Sequence, residues 1–254
     1  MIKLIDDEFK NIDLLNETFK DNSFGTRVLS ILTTYDQTLD FVDVWYQIIN
    51  DNITAIISRF EDRITVSANR KSDVNEISEF LNFQNFNYIL CDSKLKLKID
   101  FKSKRTGDVL KFPIKNTSFK EDKIIKPNIE DYYSILKKCE SENFGVPEYM
   151  NFLSDIIYRQ NRGKCAMFGI NDEDTLASVC MTVSESSSAV ILGAVATSPE
   201  FKKRGYCTKL LRTVASLFLL NNYDVYIYSL LKRNTELYKK IGFEIDSKFI
   251  EYLR

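Results

Sequence analysis

Between residues 189 and 220 the sequence passes from a β-rich run, Ala189 to Thr197, into an apolar helical run, Thr208 to Leu220. The basic loop Lys202-Lys203-Arg204-Gly205-Tyr206-Cys207 joins them. Strand, glycine-containing loop, helix is an order that leaves backbone N–H groups without partners at the helix start. It also aims the positive end of the helix dipole at the same point. Such a point binds phosphate. A fold for this chain must therefore bring the end of that strand beside the start of that helix, and the pair implies a phosphorylated ligand.

The rest of the composition narrows the class. With 254 residues, 44% of them hydrophobic, the chain can bury one large core or two modest ones. Thirty-five Lys and Arg against 36 Asp and Glu leave a net charge of -1. No broad basic field argues for nucleic acid, so any anion site is local. The opening MIKLIDDEFK is acidic where a signal peptide needs its apolar stretch. No apolar run approaches the roughly 20 residues of a membrane span. A soluble, cytoplasmic protein with no membrane or nucleic-acid partner is expected. The cysteines, Cys91, Cys139, Cys165, Cys180 and Cys207, are odd in number and scattered, without a CxxC pair, so no metal site or disulfide framework is expected. Histidine is absent, which removes the commonest general base.

Composition shifts between about Asp92 and Lys126, a stretch rich in Lys, Asp and Ser. We place a domain boundary there, giving residues 1–120 and 121–254. The first part reads as α/β. Ile53–Ser58 and Ile64–Ser67 form a hairpin about Asp62-Arg63, Asp73–Phe80 a helix, and Asn87–Cys91 a strand. In the second, Lys123–Lys126 reads as a strand, and Ile129–Cys139 and Pro147–Tyr158 as helices. Lys164–Ile170, Thr175–Ser184 and Ala189–Thr197 read as strands. After the loop and its helix come a strand at Asp224–Tyr228, a helix at Thr235–Ile241 stopped by Gly242, and a final strand to Tyr252. The order β-α-α-β-β-β-α-β-α-β implies a mixed α/β (α+β) fold, its sheet flanked by helices on both faces.

The run from Val195 to Leu211, VATSPEFKKRGYCTKLL, resembles the acetyl-CoA signature of the GCN5-related N-acetyltransferase (GNAT) family. That loop reads Arg/Gln-x-x-Gly-x-Gly/Ala after a strand and a Pro-Glu connector. Asn234 to Phe243, NTELYKKIGF, resembles the family's second signature. Two signatures in the right order and separation point to that family over residues 123–254. Two positions depart from it: Lys202 stands where Arg or Gln is usual, and Cys207 where Gly or Ala is usual.

The resemblance implies a mostly antiparallel sheet and an N-acetyltransferase that moves an acetyl group from acetyl-CoA to an amine by direct attack. It places the cofactor on Val195, Ala196, Thr197, Lys202, Lys203, Arg204, Gly205, Tyr206, Cys207, Thr208 and Asn234. It makes Tyr238 the acid that protonates the departing thiolate. Read without the family, Asn234 is a helix N-cap, Tyr238 a half-buried aromatic, and Cys207 a small filler whose thiol a helix N-terminus would acidify. The family's strand glutamate is missing, leaving Glu185, Glu148, Asp155 or water as base. That absence keeps a second reading open, a non-catalytic CoA-binding or interaction module. A dinucleotide fold ranks last, lacking GxGxxG. The acceptor, a small molecule or a protein amine, stays open. Residues 1–120 have the element order of a shortened copy of the same fold. Their counterpart loop, Ser67 to Ser72, has no glycine. They are expected to serve recognition or a homodimer contact. Trp45 is expected to pack against a helix of that region, while the neighbouring Tyr and Phe are alternative pocket residues.

Overall fold

A computed structural model describes residues 1–6, 9, 11–113, 122–142 and 144–254. Among the described residues one eleven-stranded sheet joins the two halves of the chain. In the first half lie β1 (Ile2–Leu4), α1 (Ile12–Phe19), α2 (Ser23–Thr34), β2 (Val42–Ile49), β3 (Asn52–Phe60), β4 (Arg63–Ala68), α3 (Val74–Phe83), β5 (Tyr88–Asp92) and β6 (Ser103–Lys111). In the second lie α4 (Ile129–Lys138), α5 (Tyr149–Asn161), β7 (Met167–Asp172), β8 (Thr175–Glu185), β9 (Ala189–Thr197), a 3-10 turn (Pro199–Phe201), α6 (Tyr206–Leu220), β10 (Asp224–Ser229), α7 (Lys232–Ile241) and β11 (Glu244–Leu253).

The strand order is β1-β2-β3-β4-β5-β11-β6-β10-β9-β8-β7. Among the described residues β4–β5 and β9–β10 pair in parallel and the other strand pairings are antiparallel, in keeping with the mostly antiparallel sheet expected. With β1 set aside, the order is symmetric. The strands β2 to β6 occupy the positions that β7 to β11 occupy from the other end. Each half supplies two helices, a three-stranded meander, a helix on the far face, a parallel strand and a last strand. The last strands are exchanged: β11 pairs with β5, and β6 pairs with β10. The expected division at 120/121 falls within residues 114–121, which lie outside the described residues.

Local chemistry sets these elements. The β-branched runs of β3 and β4 fill one hairpin, whose strands meet as Ser58 opposite Thr65 and Ile57 opposite Val66. Asn22, Asp73 and Asn128 cap α2, α3 and α4, each accepting a backbone N–H near the helix start. On one face of the sheet, α3 closes over Ile57, Ile64 and Val66 with Ile77 and Leu81. Beside it, α6 and α7 close over Leu110, Leu192, Val225 and Ile227. The other face is covered by α1 and α2 and by α4 and α5. There Gly107 of β6 lies opposite Phe249 of β11, and a Cβ at Gly107 would stand 2.4 Å from that ring and from the Ser229 carbonyl oxygen.

Three expectations need correction. Lys123–Lys126 is not a strand; Ile125 makes an isolated bridge to Gly169. The polar stretch after Asp92 contains a strand, β6, that charge obscured: SKRTGDVLK has apolar residues only near its end. The last helix begins at Lys232 with Leu231 in the N-cap position, so Asn234 is not the cap. Trp45 lies on β2 and packs edge-on against Phe80 of α3, ring centroids 5.2 Å apart, as the expected helix contact requires.

Candidate functional site

The cleft begins where two parallel strands part. Pairing of β9 with β10 runs from Ala189/Asp224 to Leu192/Ile227 and stops, although both strands continue. Just past that point Ala194 adopts φ 46°, a left-handed conformation that breaks the strand's regularity. The Tyr132 hydroxyl donates to the Ala194 carbonyl at 2.8 Å and holds the distortion. Gly193 is needed beside it, because a Cβ there would meet Val183 at 2.7 Å. From Val195 onward β9 remains paired with β8, and its other edge is open to a ligand.

The start of α6 forms the facing wall. Gly205 is its N-cap, with φ +89°, and no side chain caps the helix. A Cβ at Gly205 would meet nothing within 4 Å, so the glycine is required by backbone conformation rather than by crowding. Lys203 is also left-handed, φ 64°. The first intrahelical bond of this start is Lys209 N–H to the Gly205 carbonyl, 3.0 Å. The N–H groups of Tyr206, Cys207 and Thr208 therefore have no helical partner and face outward at the positive end of the dipole. The corresponding start in the first half is different: Asp73 caps α3, accepting from the N–H of Asn75 at 2.9 Å and of Glu76 at 3.1 Å. A carboxylate occupies there what α6 leaves free.

The cleft, about 730 Å³, is lined by Val195, Ala196, Thr197, Lys202, Lys203, Gly205, Tyr206, Cys207, Thr208, Asn234 and Tyr238. Every sequence-predicted site residue but one is thus brought together. The exception is Arg204, which turns away to Asp172 at 3.1 Å and lies over the Phe201 ring. The sequence reading missed Cys139, Ser141 and Phe144 after α4, Phe201 in the 3-10 turn, and Leu231, Arg233 and Leu237 about α7. Arg233 precedes Asn234 in the second signature and was detectable as a charge; the α4 residues have no sequence mark. Among the described residues, Lys202, Lys203 and Arg233 have no carboxylate within ion-pair distance, and no acidic residue lines the cleft. The cleft is a local cationic site in a nearly neutral chain.

Tyr238 forms the inner wall, 8% exposed, its ring 6.2 Å from that of Phe243. Its hydroxyl has no hydrogen-bond partner among the described residues. Burial raises its pKa well above that of a free phenol, with Cys207 and Cys180 adding to the shift, so the hydroxyl keeps its proton. The Cys207 thiol does not follow the expected lowering. Burial pushes it up to about 11, against a weaker opposing hydrogen bond from Thr197. A thiol held neutral is a filler of the loop and no nucleophile.

None of the three carboxylates considered as a base lines the cleft. Glu185 is hydrogen-bonded to the Thr182 hydroxyl. Glu148 precedes α5 at its N-cap position. Asp155 accepts from the Tyr35 hydroxyl and pairs with Arg159 at 3.5 Å. No helix among the described residues is long and apolar enough to cross a membrane.

Residues 167–251 match the family described as FR47-like protein. No curated protein matches the chain. Among solved structures, a GNAT-family acetyltransferase from Colwellia psychrerythraea superimposes with a TM-score of 0.56 at 12% identity, covering 100% of this chain and 99% of the other. A GCN5-related N-acetyltransferase from Sphaerobacter thermophilus gives 0.60 at 9% identity, covering 100% and 95%. A tandem GNAT protein from the clavulanic acid biosynthesis pathway gives 0.58 at 8% identity, covering 100% and 98%. The expected resemblance to the GCN5-related N-acetyltransferases holds, and the chain as a whole has the tandem form of that fold.

Proposed function

We propose that the protein is an acetyl-CoA-dependent N-acetyltransferase whose one cofactor site is the cleft between β9, α6 and α7. The observation that carries this reading is the uncapped start of α6, set by left-handed Gly205 and opening into a cationic cleft beside the splayed strand. Three free N–H groups there suit the pyrophosphate of CoA, and Lys202, Lys203 and Arg233 suit its remaining phosphate. The open edge of β9 at Val195–Thr197 suits the amides of the pantetheine arm and orients the thioester carbonyl. Bound acetyl-CoA supplies an activated acyl group.

The chain's own contribution is position and one proton. A neutral acceptor amine attacks the thioester carbon, the C–S bond breaks, the sulfur takes the proton of the Tyr238 hydroxyl, and the proton shed by the nitrogen returns through water to the tyrosinate. Tyr238 is suited to this by its place on the inner wall of the cleft, where its hydroxyl holds its proton and has no hydrogen-bond partner among the described residues. No carboxylate lines the cleft among the described residues, so the amine enters neutral and water carries away the proton that its nitrogen sheds on forming the amide. Residues 1–120 support acceptor recognition in this reading, since the Asp73 carboxylate at the start of α3 takes the place a phosphate would need.

Gly205→Glu places a carboxylate on the phosphate position and should abolish acetyl-CoA binding in isothermal titration; unchanged affinity would overturn the site. Tyr238→Phe should lower turnover by roughly 10²–10⁴ with cofactor affinity unchanged. A second reading, CoA binding without catalysis, is favoured by the missing carboxylate. Coenzyme A binding without thiol release across a broad panel of amines would select it.

A further inference from the structure

A second cavity, about 580 Å³, lies where the two halves meet, between α2, the strands β3 to β6 with β11, and the α5 and β8 side of the second half. It shares no lining residue with the cleft. Four arginines and three carboxylates face it. Each carboxylate already has a protein partner. Glu251 pairs with Arg105 at 2.7 Å and accepts from the Tyr88 hydroxyl at 2.7 Å. Asp155 is held by Arg159 and Tyr35, and Asp62 accepts from Asn87 at 2.7 Å.

The donors are not matched in the same way. Arg27 and Arg63 have no carboxylate partner among the described residues. Arg27 is held over the Tyr228 ring, 5.4 Å to the centroid, with its Nε buried and without a hydrogen-bond partner. Ser58, Thr65 and Ser184, only 2%, 9% and 6% exposed, also line the cavity, and their hydroxyls have no protein partner among the described residues. Ser58 and Thr65 stand directly opposite each other on β3 and β4 and form part of its floor. The cavity thus gathers two guanidinium groups without a carboxylate and three hydroxyls without a protein partner, all of which an oxygen-rich anion would satisfy.

We infer that this cavity binds a small organic anion through a carboxylate or phosphate head group, received by Arg27 and Arg63 above the Ser58–Thr65 pair. The site is independent of the acetyl-CoA cleft and joins both halves, so its ligand would be an effector or a second substrate moiety of anionic character.

Isothermal titration with succinate and with inorganic phosphate, on the full chain, tests this. At least one probe should saturate the wild type and Gly205→Glu with equal affinity. That affinity should fall about tenfold or more in Arg27→Met and less in Arg63→Gln. Succinate alone binding identifies a carboxylate head group, and phosphate alone a phosphate. The inference is overturned if neither probe saturates below about 10 mM. It is equally overturned if Gly205→Glu removes binding while Arg27→Met keeps it, since the anion then sits on α6. Should Arg27→Met fail to fold, the exposed Arg63 decides: unchanged affinity in Arg63→Gln overturns the site.

Discussion

Two glycines of this chain have the same backbone requirement and different surroundings, which allows conformational cost to be separated from ligand binding. Gly205 begins α6 at φ +89°, and Gly163 follows α5 at φ +65°. A Cβ would meet nothing within 4 Å at either position, so Ala introduces no clash. What remains is the left-handed backbone, which costs an L-residue about 1–2 kcal/mol. Against it stands the entropy that Ala removes from the unfolded chain, about 0.4–1 kcal/mol. Each Gly→Ala variant should therefore lose about 1 kcal/mol, or roughly 2–4 °C in melting temperature for a chain of this size. Only Gly205 lines the cleft. Gly205→Ala should also weaken acetyl-CoA, since relaxing that φ rotates the N–H groups of Tyr206 and Cys207 away from a bound phosphate. Gly163→Ala should leave affinity unchanged. Gly205→Asn should recover part of the stability, because asparagine tolerates the left-handed region. Differential scanning calorimetry and titration with acetyl-CoA measure both quantities. The reasoning fails if Gly205→Ala melts with the wild type, or if Gly163→Ala weakens binding as much as Gly205→Ala does.

The exchange of β6 and β11 predicts that residues 1–113 and 122–254, expressed separately, lack cooperative melting by circular dichroism, while co-expression restores it; an independent sigmoidal transition in either fragment would contradict the interleaved sheet. Asp73→Ala should cost about 1 kcal/mol in urea unfolding through the lost cap of α3, with acetyl-CoA affinity unchanged. For Cys207, raised from an ordinary 9.0 to about 11, the stabilisation of the neutral thiol is complete below pH 9 and is lost as pH rises towards 11. Its alkylation by iodoacetamide in the folded protein should accordingly stay slow through pH 9; a rate at pH 8 matching a free thiol would show the thiol to be accessible and acidic.

Much of the second half was legible because its signals are local. The β-branched runs, the glycine before α6 and the Gly242 stop each fix a backbone state within a few residues, and Val195 to Tyr238 converge because those elements are neighbours in one βαβα segment. What sequence did not show depends on distant pairing. β6 reads as a charged linker, yet it is a central strand because β10 and β11 flank it. Arg204 sits in the loop signature, but Asp172 of β7 draws it out of the cleft. The expected acidification of Cys207 considered the helix end and neglected burial under Tyr238 and Cys180. Arg27 and Arg63 form a cavity wall only when the two halves meet, which no short-range pattern encodes.

The most direct test of the account is the stoichiometry of acetyl-CoA by isothermal titration. Free amides at α6 and carboxylate-filled amides at α3 require one molecule per chain, and none in Gly205→Glu. Two molecules per chain, or one that survives Gly205→Glu, would contradict it.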